Sequence, residues 1–422
     1  MAQAIQAVAE LRGKRWLPRG LGRSYGDVAL VSDGLLLDSR HLGQVISFDR
    51  GTGVLHAESG VSLGTLLRHV LPHGWFLPTT PGTRHVTLGG AVAADVHGKN
   101  HHRAGTFGCS LLNLELIRSD TGPVSCSPSI EPALFGATVG GLGLTGFIST
   151  VTLQLVRVPG AYLAVSERAF NNLDEFFDMM EAREVSGAEH VVAWLDCVGS
   201  KAGRGILSTA DWTESPYDVG SESPRVTIPF GLPFCPINAV TTALFNEIYF
   251  KSRARGIAPV RQHCEHFFYP LDAVGRWNLA YGPRGFYQYQ CVVPTAGQRL
   301  ALSELLREIA RSGLASFLVV LKIFGDRTSP GLLSYPMAGT NLALDFPNRG
   351  ERTHRLFERL DAIVAAAGGR MNPAKDMRMP GELFRRGYPH WERMRSLKDP
   401  GVGSDFWRRV TSEEAAPMRD AG

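Results

Sequence analysis

Polar residues interrupt apolar runs in three successive elements in the second half of this chain. Gln288 and Gln290 fall on one face of the run 286–293, because side chains alternate along a strand. Lys322 lies in the run 316–324 and shares its face with Leu318, Val320 and Phe324. Asn341 shares a face with Ala343 and Asp345 in the run 341–346, opposite Leu342, Leu344 and Phe346. A lysine inside such a strand costs free energy unless it is paired or reaches water. One reading is a wet sheet face with Lys322 snorkelling outward. The other is a substrate-binding sheet.

Glycine-rich segments carry a second kind of chemistry. They run Arg19-Gly20-Leu21-Gly22-Arg23-Ser24-Tyr25-Gly26-Asp27, then Pro81-Gly82-Thr83 through Thr87-Leu88-Gly89-Gly90 and Ala93 to His97-Gly98-Lys99, then Gly140-Gly141-Leu142-Gly143 to Gly146. Turns rich in Gly expose backbone N–H groups that form anion-binding nests, and Thr83 and Thr87 add hydroxyl donors. Together they suit the pyrophosphate of a dinucleotide. The bland alternative is tight turns in a β-rich fold. Gly141, Gly143 and Gly146 form a GxGxxG pattern. The β-branched run from Phe147 and Ile148 to Leu153 comes directly after it and reads as a strand, so a Rossmann site is not expected.

His97, His101 and His102 could suggest a metal site. Gly98 and Asn100 disfavour a helix there, and no HExxH glutamate accompanies them, so no metal is expected.

These groups need a scaffold. Residues 1–157 read as a helix at 4–11 and short strands at 35–38, 44–48, 54–57, 113–117 and 147–156, with a Ser62-capped helix at 62–71. Later come a helix at 173–184, a strand at 190–197 and a Pro-rich apolar loop or lid at 224–236, leading to 243–250. The stretch 286–367 then reads β-α-β-β-α, an antiparallel sheet with its helices on one face.

With 422 residues the chain is too long for one core. The net charge of +4 without a Lys/Arg block points to an anionic small molecule and away from nucleic acid. Six cysteines without a CxxC pair read as free thiols in a reducing compartment. No signal peptide or membrane-spanning run is visible. Together these predict a cytoplasmic protein, with membrane association left open. The abrupt start at Met1 leaves room for residues upstream.

The segments RGLGRSYGD, PGTRHVTLGGAVAADVHGKNHH and ATVGGLGLTG resemble the vanillyl-alcohol oxidase type of FAD-binding protein. Within it they most resemble the decaprenylphosphoryl-β-D-ribose oxidase family, across nearly the whole chain. The resemblance implies an α+β, two-domain PCMH-type FAD-binding fold with an α+β substrate domain built on an antiparallel sheet. It places the FAD domain at 1–157, the substrate domain at 158–369 and a return to the FAD domain at 370–422. FAD would be lined by Arg19, Gly20, Leu21, Gly22, Arg23, Ser24, Tyr25, Gly26, Pro81, Gly82, Thr83, Thr87, Gly89, Gly90, Ala93, His97, Gly98, Gly143 and Ile148. Arg23 stands where many relatives tether the flavin through a histidine, so the FAD is expected to be non-covalent. Gln288, Gln290, Lys322, Phe324 and Asn341 would bind substrate. Lys375, with Lys99 and His97 next, would bind or polarise the reacting oxygen. The chain has Ala343 where relatives often carry Cys, Asn372 where Tyr is usual, and Phe268 with Tyr269 beside it where another Tyr is usual.

The implied activity is oxidation of a sugar hydroxyl, most specifically the 2'-hydroxyl of a polyprenylphosphoryl ribose. A short-chain reductase partner and a peripheral membrane contact would accompany it. A soluble sugar, alditol or aldonolactone oxidase releasing peroxide, and a flavin-binding scaffold without activity, are the alternatives.

Overall fold

A computed structural model describes residues 2–220, 223–254, 256 and 258–412, with Arg183 described by its backbone alone. The first part builds a five-stranded antiparallel sheet in the order Val45–Phe48, Val54–Glu58, Phe147–Gln154, Leu111–Arg118, Gly122–Cys126. Ser62 caps the helix Leu63–Val70 by accepting from Thr65 N at 3.0 Å. That helix buries Leu63, Leu66, Leu67 and Val70. A parallel pair, Trp16–Arg19 with Leu35–Asp38, carries the first glycine segment out of its first strand.

The second layer is an eight-stranded antiparallel sheet. Its order is Val260–His263, Tyr162–Phe170, Gly205–Thr213, His190–Leu195, Val319–Phe324, Gly339–Pro347, Phe286–Pro294 and Arg370–Met371. Helices Gln298–Ser312 and Glu351–Ala366 pack on one face. Alternation sends Tyr289, Cys291, Leu342, Leu344, Val319 and Leu321 into the core on the helix side. Gln288, Gln290, Asn341, Ala343, Val320 and Lys322 emerge on the other face and line a cavity. The polar face is therefore a cavity wall rather than an open wet surface.

Several boundaries differ from the sequence expectation. The strand expected over 316–324 begins at Val319. Ser316 Oγ accepts from Asp345 N and donates to Leu318 O, so a side chain takes the place of ladder bonds there. The helix expected over 173–184 ends at Glu181, and Ala182 is extended before a short helix Arg183–Ser186. Arg370–Met371 pairs with Phe286–Pro294, so the division expected at 369/370 falls beside the last sheet strand. The chain then packs against the first part, through Val402 beside Trp16, Arg409 on Asp27 and Asp399 on Ser119, and is described as far as Ser412, with 413–422 outside the described residues. The run 243–250 belongs to a longer helix, Ala239–Arg253.

Candidate active site

The two layers enclose a cavity of about 1110 Å³. Its wall takes residues 19–25, 81–83, Thr87, Gly89, Gly90, Ala93, His97, Lys99, Gly143 and Ile148 from the first domain. Gln288, Gln290, Lys322, Asn341 and Lys375 join them from the sheet and the return segment. Residues far apart in sequence thus meet in one space.

Close backbone approach explains the glycines. A Cβ on Gly20 would sit 2.2 Å from Thr87 Oγ1, and one on Gly89 would sit 2.9 Å from Ser59 Cβ. Gly143 takes φ +78° and Leu142 takes φ +55° where the third segment turns into its strand. The helix Leu88–Ala93 starts at Thr87, whose Oγ1 accepts from Gly90 N at 3.1 Å.

The second segment is tied to residues 265–272. Thr83 Oγ1 donates to Asp272 Oδ1 at 2.7 Å, Arg84 pairs with Glu265, and the Thr80 and Tyr269 hydroxyls bond at 2.6 Å. The Thr83 hydroxyl, expected as a donor to an anion, is committed to Asp272. Thr87 keeps its hydrogen free for a ligand, because its oxygen is the acceptor in the helix cap.

The return segment places Lys375. Tyr25 N donates to Ala374 O at 2.9 Å, and a Cβ on Gly26 would collide with Asp376 O. Lys375 Nζ then stands 4.4 Å from the centre of the Tyr25 ring. Gly26 is accordingly a packing contact behind the wall. Gly98 is likewise off the wall, against the Thr80 backbone. Phe324 lies under the site, with its ring 4.8 Å from His97 and 4.3 Å from His101.

A buried amide relay runs along one end of the cavity. Ala374 N donates to Asn372 Oδ1 at 3.0 Å, which leaves Asn372 Nδ2 to donate to Gln290 Oε1 at 3.0 Å. Gln290 Nε2 must then donate, to Asn341 Oδ1 at 2.8 Å and to His97 Nε2 at 3.0 Å. Tyr335 OH also donates to Asn341 Oδ1, at 2.9 Å. His97 therefore accepts at Nε2 and carries its proton on Nδ1. His97 Nδ1 and Asn341 Nδ2 are buried and have no partner among the described residues.

Three lysines share the cavity. Burial lowers Lys99 to about 7, helped by the Lys322 charge. Burial lowers Lys322 to about 8, helped by Lys375. Burial also lowers Lys375 to about 8, against the pull of Asp345. Lys99 donates to Phe267 O and stands 4.1 Å over the Phe267 ring. Burial holds His97 well below its ordinary value, and the lysine charges add to that, so it is neutral. Asp345 is pushed up to about 6 by burial and accepts from Gln288 Nε2 at 2.6 Å.

The cavity suits FAD. The N–H groups of residues 21–24 and of Gly82 and Thr83 have no acceptor among the described residues. A Cβ on Gly82 would meet nothing within 4 Å. These are free donors beside open space, as a pyrophosphate requires. Lys99, Lys322 and Lys375 add positive charge. His101 packs tilted against Phe324, and His102 bonds Ala188 O at 3.0 Å. Among the described residues no group of three His, Cys, Asp or Glu is placed to hold a metal ion.

Sequence reasoning passed over several wall or supporting residues. Asp345 was signalled by its shared face with Asn341. Asn372 stood out only as a departure from relatives. Trp194, Phe317 and Tyr335 gave no local signal, because nothing near them in sequence distinguishes a cavity wall from a core.

Residues 1–127 match the family described as FAD binding domain. The chain is 36% identical, over 97% of its length and 92% of the relative, to decaprenylphosphoryl-beta-D-ribose oxidase of Mycolicibacterium smegmatis. It is 29% identical to L-gulonolactone oxidase of Mus musculus over 36% of this chain and 34% of that one. It is also 29% identical to alditol oxidase of Streptomyces sp. over 32% of each chain. The match to the decaprenylphosphoryl-beta-D-ribose oxidase runs along nearly the full length, while these other two cover about a third.

Proposed function

Because the chain belongs to the decaprenylphosphoryl-beta-D-ribose oxidase family, we propose that it oxidises the 2'-hydroxyl of a polyprenylphosphoryl ribose to the keto sugar, the first half of an epimerisation. It is an FAD-dependent oxidoreductase acting on a CH–OH group. The observation that carries the substrate reading is the meeting of Lys375, Lys99, Lys322 and the His97–Gln290 pair with the glycine loops in one cavity.

Bound FAD supplies the hydride acceptor. Lys375 Nζ, lowered to about 8, takes up the hydroxyl proton as the C–H bond breaks. His97 Nδ1–H and Asn341 Nδ2 donate to sugar oxygens, and Gln290 holds both in place. Lys322 and Lys99 face the phosphate of the substrate. Residues 21–24, 82 and 83 offer backbone donors to the pyrophosphate of a non-covalent FAD, since Arg23 provides no tether. A short-chain reductase would consume the keto product. The lipid tail would bring the protein to a membrane surface; among the described residues no helix is long and apolar enough to cross one.

Anaerobic mixing of the holoprotein with a polyprenylphosphoryl ribose tests this. The oxidised-flavin band should bleach and a keto sugar should appear. Bleaching by free alditols or lactones, but not by the lipid-linked sugar, would overturn the substrate assignment.

A further inference from the structure

The helix Ala239–Arg253 is amphipathic in the reverse sense. Its protein-facing side carries Thr242 and Asn246, both buried, with Tyr249 and Arg253 further along the same side. Its outward side carries Val240, Leu244 and Ile248 at i, i+4, i+8, exposed by 78%, 63% and 62%. The chain entering the helix adds Phe230 and Phe234, exposed by 66% and 61%. An outward stripe of this kind contributes nothing to the core and marks a contact surface.

Polar bonds hold the helix down instead. Asn246 Nδ2 donates to the buried Asp196 Oδ1 at 2.7 Å, and Asp196 pairs with Arg204 at 3.1 Å. Glu247 is bridged by Lys201, Arg204 and Lys251. Asn238 caps the helix start in a capping box with Thr241. The apolar stripe can therefore be changed without removing what anchors the helix.

The rim of the patch is basic. Arg225, Lys201, Arg204 and Lys251 stand around it against Glu247 and Asp196, so cations remain in excess after Lys201, Arg204 and Lys251 have paired with Glu247, while Arg253 on the inner side is paired with Glu167. Apolar side chains between cations match an anionic lipid surface, where the side chains enter the acyl boundary and the cations meet headgroups. The inner edge of the same helix, through Phe245, Tyr249 and Arg253, forms part of the cavity wall. The stripe and the cavity thus lie on two sides of one helix.

We propose that Val240, Leu244 and Ile248, with Phe230 and Phe234, dock this protein on an anionic bilayer so that the helix Ala239–Arg253 lies at the membrane with the cavity behind it. The choice of a lipid occupant rests on the lipid-linked substrate proposed above.

Flotation of the holoprotein with vesicles tests it without any turnover. Phosphatidylcholine vesicles containing phosphatidylglycerol should carry the protein, and pure phosphatidylcholine should carry less. The triple variant Val240→Ser, Leu244→Ser, Ile248→Ser should bind at least roughly tenfold more weakly, with flavin content and circular dichroism unchanged. Equal flotation of variant and parent, or no flotation of the parent, would overturn the docking surface. A parent dimer that the triple variant breaks, without vesicle binding, would assign the stripe to a second copy and overturn it equally. Flotation by a protein that does not oxidise the lipid-linked sugar would sink the substrate reading and leave the docking surface standing.

Discussion

Gln290 donates its side-chain N–H to Nε2 of His97 across 3.0 Å, so the neutral imidazole keeps its proton on Nδ1. The direction of that bond traces back to one backbone group, Ala374 N, which fixes Asn372 and through it the Gln290 amide. The turn that carries Lys375 therefore also sets the tautomer of a histidine nearly three hundred positions earlier.

Asn372→Asp tests this relay. The aspartate still accepts from Ala374 N but cannot donate to Gln290. The loss of one buried hydrogen bond is worth about 1–3 kcal/mol, so flavin reduction by substrate should slow by roughly tenfold to a hundredfold. Flavin content should be kept. Nitrogen chemical shifts of labelled His97 should show its fixed tautomer becoming mixed; an unchanged His97 signal would refute the relay.

Lys375→Ala should bind FAD normally and reduce it with substrate roughly 10²–10⁴ times more slowly, the range for loss of a general base. In the parent protein the reduction rate should rise as pH passes about 8, where the Lys375 ammonium loses its proton and becomes able to accept another. The variant should lack that rise. Stopped-flow absorbance at the flavin band measures both, and a wild-type rate in the variant would remove Lys375 from the chemistry.

The lysine cluster predicts a pH-dependent stability in the flavin-free protein. Lys99, Lys322 and Lys375 are depressed to about 7, 8 and 8, so the unfolded chain binds more protons above these values. Stability contributed by these groups should therefore rise with pH from about 7 towards 10. Thermal melts across that window should show the rise. Lys99→Met should flatten its lower end, and an unchanged slope would count against the burial of Lys99.

Gly82→Ala and Gly20→Ala should separate cofactor contact from packing. A Cβ on Gly82 meets open space, so the flavin-free fold should keep its melting temperature while FAD binds more weakly. A Cβ on Gly20 would strike Thr87, so that variant should lose melting temperature as well. Titration of the flavin-free proteins with FAD reads the first effect. Equal FAD affinity in Gly82→Ala would place that loop away from the cofactor.

Acid precipitation of the holoprotein should release all yellow colour to the supernatant, because the resemblance puts Arg23 in the place of the histidine through which many relatives tether the flavin. Colour retained in the pellet would mean a covalent attachment elsewhere.

Sequence alone determined what local rules can reach. Period-two alternation put Gln288 with Gln290 and Asn341 with Asp345 on shared faces and set Lys322 alone on an otherwise apolar one, and the strand after Gly146 excluded a Rossmann turn. The Ser62 cap and the spacing of Leu63, Leu66 and Val70 set a helix that the structure contains. These effects act within one strand or one helical turn, so they are written in adjacent residues. Tertiary structure alone decided which polar face met which loop. It turned Thr83 towards Asp272, set Gly26 and Gly98 behind the wall, and ran one hydrogen-bond relay through His97, Gln290, Asn341 and Asn372. Those outcomes depend on long-range packing of the two layers and on the return of the chain after Met371, which no short window of sequence encodes.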